Sequence, residues 1–526
     1  MPVSLLNPDH LQRLLRAFRL SMRTLLRSLC EELGAHRGPL PYRPALPAGC
    51  FRLIADTLDL ADYDQWKVVG WIESLNDLVY FQDVWRQYRR ERDRAGFAEQ
   101  LLAECQDKLY EHSYLDELFP NRRAEPARLA GRLSALCARL ARELTQEALF
   151  LVPGTPNRWL QRTGRSYWVV RGSLLANYER VELADTIAIG VDGAFVSLPP
   201  ALRAARPRQD GTVDFVMTPS ETRIRAGGVS SCVWSGGASS PWQWSVEPPR
   251  YVVRPNAQWT RGLTLGPTLV YDRHRVPAAV RLSSENSLRR VERAVEALAL
   301  AWPEGHGLLG SLTSRIVPLK AKGVVSFSYR DRPGISFINM FDRTPLDLID
   351  DLIHENSHHH LNLLLRDQVL YGGDHNQEIF YSPWRRSLRP LRGILHATFT
   401  FTMGALLFER LAQWGTRPRA KGAWRQAGLT LRDVPRAHAR CLEEIASVEY
   451  SLQDLRYAGR TLRWLPKAGR NLVAGLAGEM RHMTARTGRF ARSLVGTSYA
   501  RELARHHRHL QLAREAYGPQ GASRRG

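Results

Sequence analysis

The chain has 526 residues, enough for two or three domains with a substantial core. Its 44% hydrophobic and 24% charged residues belong to a soluble globular protein, which excludes a fibrous or wholly disordered chain. The net charge of +22 is what an acidic partner would call for, and equally what a biased, arginine-rich amino-acid usage produces. No zinc finger, helix-turn-helix or aromatic-interleaved basic strand accompanies that charge, so it carries no specific nucleic-acid signature.

The six cysteines, Cys30, Cys50, Cys105, Cys137, Cys232 and Cys441, form no CxxC pair. That spacing argues against a disulfide framework, a zinc knuckle or an iron–sulfur cluster. No uninterrupted apolar run is long enough for a transmembrane segment, and the N-terminus lacks a signal-peptide core, so the expected location is cytoplasmic.

Residues 1–150 are predicted to be a helical N-terminal region. Asn7-Pro8-Asp9 opens a basic amphipathic segment from His10 to Leu33, with Leu11, Leu14, Leu15, Phe18 and Met22 on one side, as in a docking helix. Helical periodicity continues through Trp66–Tyr88, Phe97–Tyr110 and Ala127–Leu149. Residues 151–285 form a predicted β-rich region. Thr186–Val191, Val213–Val216 and Tyr251–Arg254 are β-branched or aromatic runs, and Asp192-Gly193 is a hairpin signal. The glycine-rich stretch Ala226–Gly237 lacks the lysine and spacing of a phosphate-binding loop and is expected to be a turn. Trp234, Trp242 and Trp244 around it are expected in the core or at its rim.

Residues 286–526 are predicted to be a helical, HExxH-bearing catalytic domain, which makes the whole chain α+β and mainly helical. A helix from Ser287 to Ala301 is followed by strands between Ser326 and Met340, of which Gly334–Met340 has a free edge that could pair with an extended peptide. Thr344-Pro345 and Asp347 supply an N-cap, a first-position proline and a first-turn acid for the next helix. On it lies His354-Glu355-Asn-Ser-His358. Two histidines four residues apart stand on one helix face, one turn apart, so both imidazoles can converge on one cation beside Glu355. The competing reading is a pair of packed histidines, with His359 and His360 as solvated neighbours. Pro390 can start another helix, Leu391–Leu411, and helical patterns return at Ala437–Leu462 and Leu472–His509. His506, His507 and His509 fall on a polar, basic face and are expected to be solvated, and Gly518–Gly526 is expected to be a frayed tail.

Two histidines do not complete a metal site. Glu378, twenty residues after His358, has a spacing resembling that of thermolysin-type zinc peptidases. His396, inside an apolar helix, is the other candidate for a third ligand, or is a core histidine bonded to a carbonyl. Four stretches in order then stand out: Leu300-Ala-Trp-Pro-Glu304, Gly334-Ile-Ser-Phe-Ile-Asn339, His354-Glu-Asn-Ser-His358, and Tyr381-Ser-Pro-Trp-Arg385 with Arg389-Pro390 and Leu395-His396. With them, the segment from about Val291 to Leu411 resembles the HExxH-motif peptide-modification proteins of bacterial gene clusters for ribosomally made, modified peptides. The family often has acidic residues and a proline where this chain has Arg386, Ser387 and Leu388.

The resemblance implies a small zincin-like core of strand plus HExxH helix. It also implies Fe(II)- and 2-oxoglutarate-dependent hydroxylation of a precursor peptide at a β-carbon. His354, His358 and either His396 or Glu378 would hold the iron. Arg385 or Arg389 would bind the far carboxylate of 2-oxoglutarate, for which a guanidinium suits a bidentate pair. Tyr381 and Ser382 are possible hydroxyl donors to the same cofactor, and the peptide substrate could itself be acidic. Glu355 becomes an orienting group on that reading. In the alternative, a zinc metallopeptidase, Glu355 is the general base that deprotonates a metal-bound water. A non-enzymatic peptide-binding scaffold is the third reading.

Overall fold

A computed structural model describes residues 7–35, 38–41, 51–151 apart from 53–54, 56–57, 65 and 109–113, ten short strands between 168 and 278, and residues 285–518 apart from 321 and 331. The chain is α+β and mainly helical. It divides into two compact units, one of residues 19–258 and 266–283, the other of residues 1–18, 259–265 and 284–526.

In the first unit, α2 (Trp66–Arg90) packs along α5 (Pro126–Leu151), with α3 (Arg94–Lys108) and α4 (Tyr114–Leu118) between them in sequence. Trp71 is fully buried, and its indole N–H donates to the carbonyl of Leu144 at 3.0 Å, which satisfies the one polar group its burial would strand. Strands β1 (Trp168–Gly172), β4 (Val213–Met217), β5 (Glu221–Ala226) and β6 (Val229–Ser235) form an antiparallel sheet in that order. Two further pairs are β2 (Thr186–Ala188) with β3 (Phe195–Ser197), and β9 (Val270–Tyr271) with β10 (Pro277–Ala278). The predicted hairpin at Asp192-Gly193, the run Tyr251–Arg254, Trp242 and Trp244 lie outside the described residues, as does the side chain of Trp234.

Helix α1 (Pro8–Ala35) buries Leu11, Leu14, Leu15, Phe18 and Met22, the stripe read from its periodicity. In the second unit, Phe18 lies beneath the guanidinium of Arg366, 5.2 Å from its ring centre.

That unit is built on a five-stranded sheet of order β12-β13-β11-β8-β7, comprising β7 (Gln258–Thr260), β8 (Leu263–Leu265), β11 (Arg315–Leu319), β12 (Phe327–Ser328) and β13 (Ile335–Asn339). β13 is parallel to β11 and antiparallel to β12, and all five of its residues are buried. Its edge is therefore not free, contrary to the expectation from sequence. β12 covers it, with Phe327 stacked on Phe337 at 4.7 Å. The strand follows Gly334, whose φ of +86° and whose position against Ser314 Oγ, 3.2 Å from where a Cβ would stand, both favour glycine.

Helices α6 (Glu285–Ala301) and α7 (Pro303–Leu312) flank α8 (Pro345–Asp367), which runs against β12 and β13. α8 begins with the capping box foreseen at Thr344: its hydroxyl accepts from the Asp347 N–H at 3.3 Å, and Asp347 accepts from the Thr344 N–H at 3.0 Å. A hairpin of β14 (Phe380–Ser382) and β15 (Ser387–Arg389) leads to α9 (Leu391–Gly415). α9, expected from sequence as an apolar helix, is by length and composition the one described helix apolar and long enough to cross a membrane. Of its apolar window, 72% is buried, as in the core helix of a folded unit.

α9 packs against α8 and, more extensively, against α11 (Asp433–Arg460), with the short α10 (Lys421–Gln426) between them in the chain. The predicted helix Leu472–His509 is two, α12 (Lys467–Ser493) and α13 (Ser498–Tyr517). The break carries Gly496 at φ +82° and the Thr497 N-cap, which accepts from the Ala500 N–H.

Candidate functional site

The two faces of α8 divide the HExxH residues. His354 and His358 point toward α9, while Glu355 and His359 point toward the sheet. On the α9 side, the rings of His354 and His358 stand 5.0 Å apart. His396, one turn into α9, brings its ring to 5.9 Å from that of His358. All three side chains are half-buried. Burial lowers the His354 pKa to about 4, with the charges of Arg385 and Arg440 acting in the same direction. Burial lowers that of His358 to about 3, helped by His354 and His359. Both rings are neutral at pH 7, the form in which imidazole binds a metal.

Among the described residues no three His, Cys, Asp or Glu side chains are drawn into a ready coordination set. The ring separations measure how far this trio is from one. Imidazole nitrogens at about 2.1 Å from a cation put ring centres roughly 5 Å apart. The 5.0 Å pair already meets this spacing, and the 5.9 Å pair needs a movement of less than about 1 Å. Imidazole nitrogens are also a donor type that iron(II) and zinc(II) both accept. By donor type and by the His354–His358 spacing, these residues would suit a divalent cation. Glu378, the other candidate ligand, is exposed on the loop before β14.

On the sheet side, Glu355 is 3% exposed, and its carboxylate accepts from Ser328 Oγ at 2.8 Å. Burial pushes its pKa up to about 8, with the Ser328 bond opposing and Asp351 adding to the rise. His359, expected to be solvated, is buried instead. The Gly334 N–H faces its Nδ1 at 3.5 Å, which leaves Nε2 to donate to Ser336 Oγ at 3.2 Å. His360 is equally buried and meets the edge of Phe399 at 5.4 Å. The solvated reading failed because β13 covers the His359 ring and α9 the His360 ring.

The Tyr381-Ser-Pro-Trp-Arg385 stretch is the first strand and turn of the β14–β15 hairpin. Arg385 is exposed at the turn, makes no ion pair among the described residues, and its charge reaches His354. Arg389 is half-buried on β15 and lies against Gly393 in the first turn of α9. Ser382 is buried, and its hydroxyl accepts from the Arg385 N–H at 3.3 Å, shaping the turn. Tyr381 is directed elsewhere: its hydroxyl pairs with His509 Nε2 at 2.6 Å, and its ring stacks on Tyr517 at 5.3 Å. His506 likewise bonds Ser447 Oγ at 2.9 Å. These two α13 histidines are thus packed, because the hairpin and α11 cover the helix face that sequence left open.

Several residues with no motif complete the surroundings. Phe401, one turn and a half beyond His396, meets the edge of His354 at 5.1 Å and is stacked by Trp384 at 4.3 Å and 7°. The Trp384 indole N–H donates to the buried Glu444 at 2.8 Å. Arg440 bonds both Glu444, at 3.2 Å, and Asp350 of α8, at 3.1 Å. Arg436, Arg440 and Glu444 lie at steps of four, one stripe of α11, and that charged stripe within a helical pattern was the available signal. Compared with known proteins, the chain matches no family model and no curated protein.

Proposed function

We propose that this protein is an Fe(II)- and 2-oxoglutarate-dependent hydroxylase that adds oxygen to the β-carbon of a residue in a ribosomally made precursor peptide. The observation that carries the proposal is the approach of three elements distant in sequence: the His354 and His358 rings of α8, the His396 ring of α9, and Arg385, which has no ion pair among the described residues and whose charge acts on His354. A peptidase has no need of that cation. On this reading β13 and α8 are a small zincin-like core, put to oxidative rather than hydrolytic use.

His354, His358 and His396 would hold the iron through imidazole nitrogens. Iron(II) with 2-oxoglutarate and dioxygen supplies the oxidising power to place one oxygen atom in a C–H bond. Arg385 binds the far carboxylate of 2-oxoglutarate, and the Ser382 turn sets the direction in which its guanidinium projects. Glu355 ties α8 to β12 through Ser328, a task that leaves its carboxyl outside the reacting group. The net charge of +22 supports an acidic peptide as substrate.

The test uses full-length protein purified anaerobically and supplied with iron(II), 2-oxoglutarate and candidate precursor peptide. One succinate should form for each peptide that gains one oxygen. Metal-dependent peptide cleavage without succinate overturns the proposal, and loss of that cleavage in Glu355→Gln would assign the zinc peptidase instead.

A further inference from the structure

We infer that Glu444 and Trp384 form a latch that positions the β14–β15 hairpin, and with it Arg385, over the histidine cluster. The latch is a property of the fold; its consequence for 2-oxoglutarate rests on the function proposed above. Glu444 lies sixty residues from Trp384 in sequence, within α11, and is buried. One carboxylate oxygen accepts from the indole and the other from Arg440, whose guanidinium also reaches Asp350 on α8. A buried carboxylate with two charge-assisted or directional partners is held in one place. It therefore fixes the indole, and the indole plane is fixed a second time by the stack on Phe401.

The residue after Trp384 is Arg385. Its own side chain has no ion pair among the described residues, so among them the backbone of this turn sets where its charge stands. The turn also includes Arg386 at φ +53°, a left-handed conformation unfavourable to arginine. The hairpin register, Phe380 with Arg389 and Ser382 with Ser387, leaves a four-residue connection. A short hairpin with an unfavourable turn residue needs an outside anchor to hold a single shape, and the indole–Glu444 bond supplies it.

The variants are Glu444→Ala and Trp384→Phe, the second keeping the ring stack and the Arg440–Glu444 pair. Trypsin cleavage after Arg385 or Arg386, followed by mass spectrometry in the metal-free protein, reports the hairpin directly. Both variants should be cut about tenfold faster than the parent at that site. The double variant should be cut no faster than Glu444→Ala alone, because both changes remove one bond. Trp384→Phe should also raise the KM for 2-oxoglutarate about tenfold with kcat and bound metal retained, a split that general destabilisation would not produce. Parental cleavage at the hairpin in Trp384→Phe overturns the latch, as does additivity in the double variant. Because the cleavage readout needs neither iron nor cosubstrate, loss of the hydroxylase reading leaves the latch standing, and the reverse holds too.

Discussion

Replacing His396 by alanine separates the two candidate third ligands. His396 stands with its ring 5.9 Å from His358, whereas Glu378 is exposed on a loop. Residues that only support a metal ligand change affinity by about 10- to 100-fold when removed. Losing one of three direct donors should therefore cost at least on the order of 100-fold, about 2.7 kcal/mol. Glu378→Ala should stay within about twofold of the parent by the same reasoning. The assay is anaerobic competition for iron(II) against a chelating indicator, repeated with zinc(II), with circular dichroism to confirm that α9 is still folded. Affinity within twofold of the parent in His396→Ala would refute the His396 assignment, and a 100-fold loss in Glu378→Ala would transfer it.

Arg385→Ala should raise the 2-oxoglutarate concentration needed for half-maximal succinate formation about tenfold and leave bound iron unchanged; an unchanged requirement ends its assigned role. Glu355→Gln tests the buried carboxyl through pH. Its folded pKa of about 8 lies above the ordinary carboxyl value, so the folded state holds a proton that the unfolded state has released, and stability falls as pH rises toward 8. Between pH 6 and 8, urea unfolding of the metal-free parent should lose about 1–2 kcal/mol more than the Gln variant. Parallel pH profiles would show that Glu355 ionises freely. Glu409, fully buried on α9, is bonded twice by Arg486, at 2.6 and 2.8 Å. Arg486→Met should cost about 3 kcal/mol by stranding that carboxylate, and adding Glu409→Gln should recover most of it. Thermal melts in which Arg486→Met matches the parent would show that the pair contributes nothing, and a double variant no more stable than the single would show that no carboxylate was stranded.

The helices were legible where period and caps agreed. α8 starts at Thr344 because a threonine, a proline and an acid at fixed offsets satisfy three different needs of a helix start, and no tertiary partner has to be known. The strand β13 was equally visible, but its place in the sheet was not. Whether an apolar strand is an edge depends on which segment lies beside it, and the strand pattern over Ser326–Met340 does not show that β12 pairs antiparallel with β13. The break between α12 and α13 was hidden for a related reason: Gly496 and Thr497 interrupt a pattern whose apolar spacing continues on both sides.

For the site, spacing revealed what lies on one helix face and nothing about what faces it. His354 and His358 follow from a step of four, yet the partner of each other residue of α8 is set by packing. The same helix therefore holds imidazoles in a half-open recess on one side and a Ser328-bonded carboxyl and a buried His359 on the other. Consecutive positions are about 100° apart around the axis, so residues adjacent in the motif need not share an environment. That divergence weighs against Glu355 as a base beside the histidines. A carboxyl that must deprotonate a metal-bound water has to leave Ser328 and turn toward α9, at the cost of a buried hydrogen bond, whereas one that braces α8 against β12 is already in position.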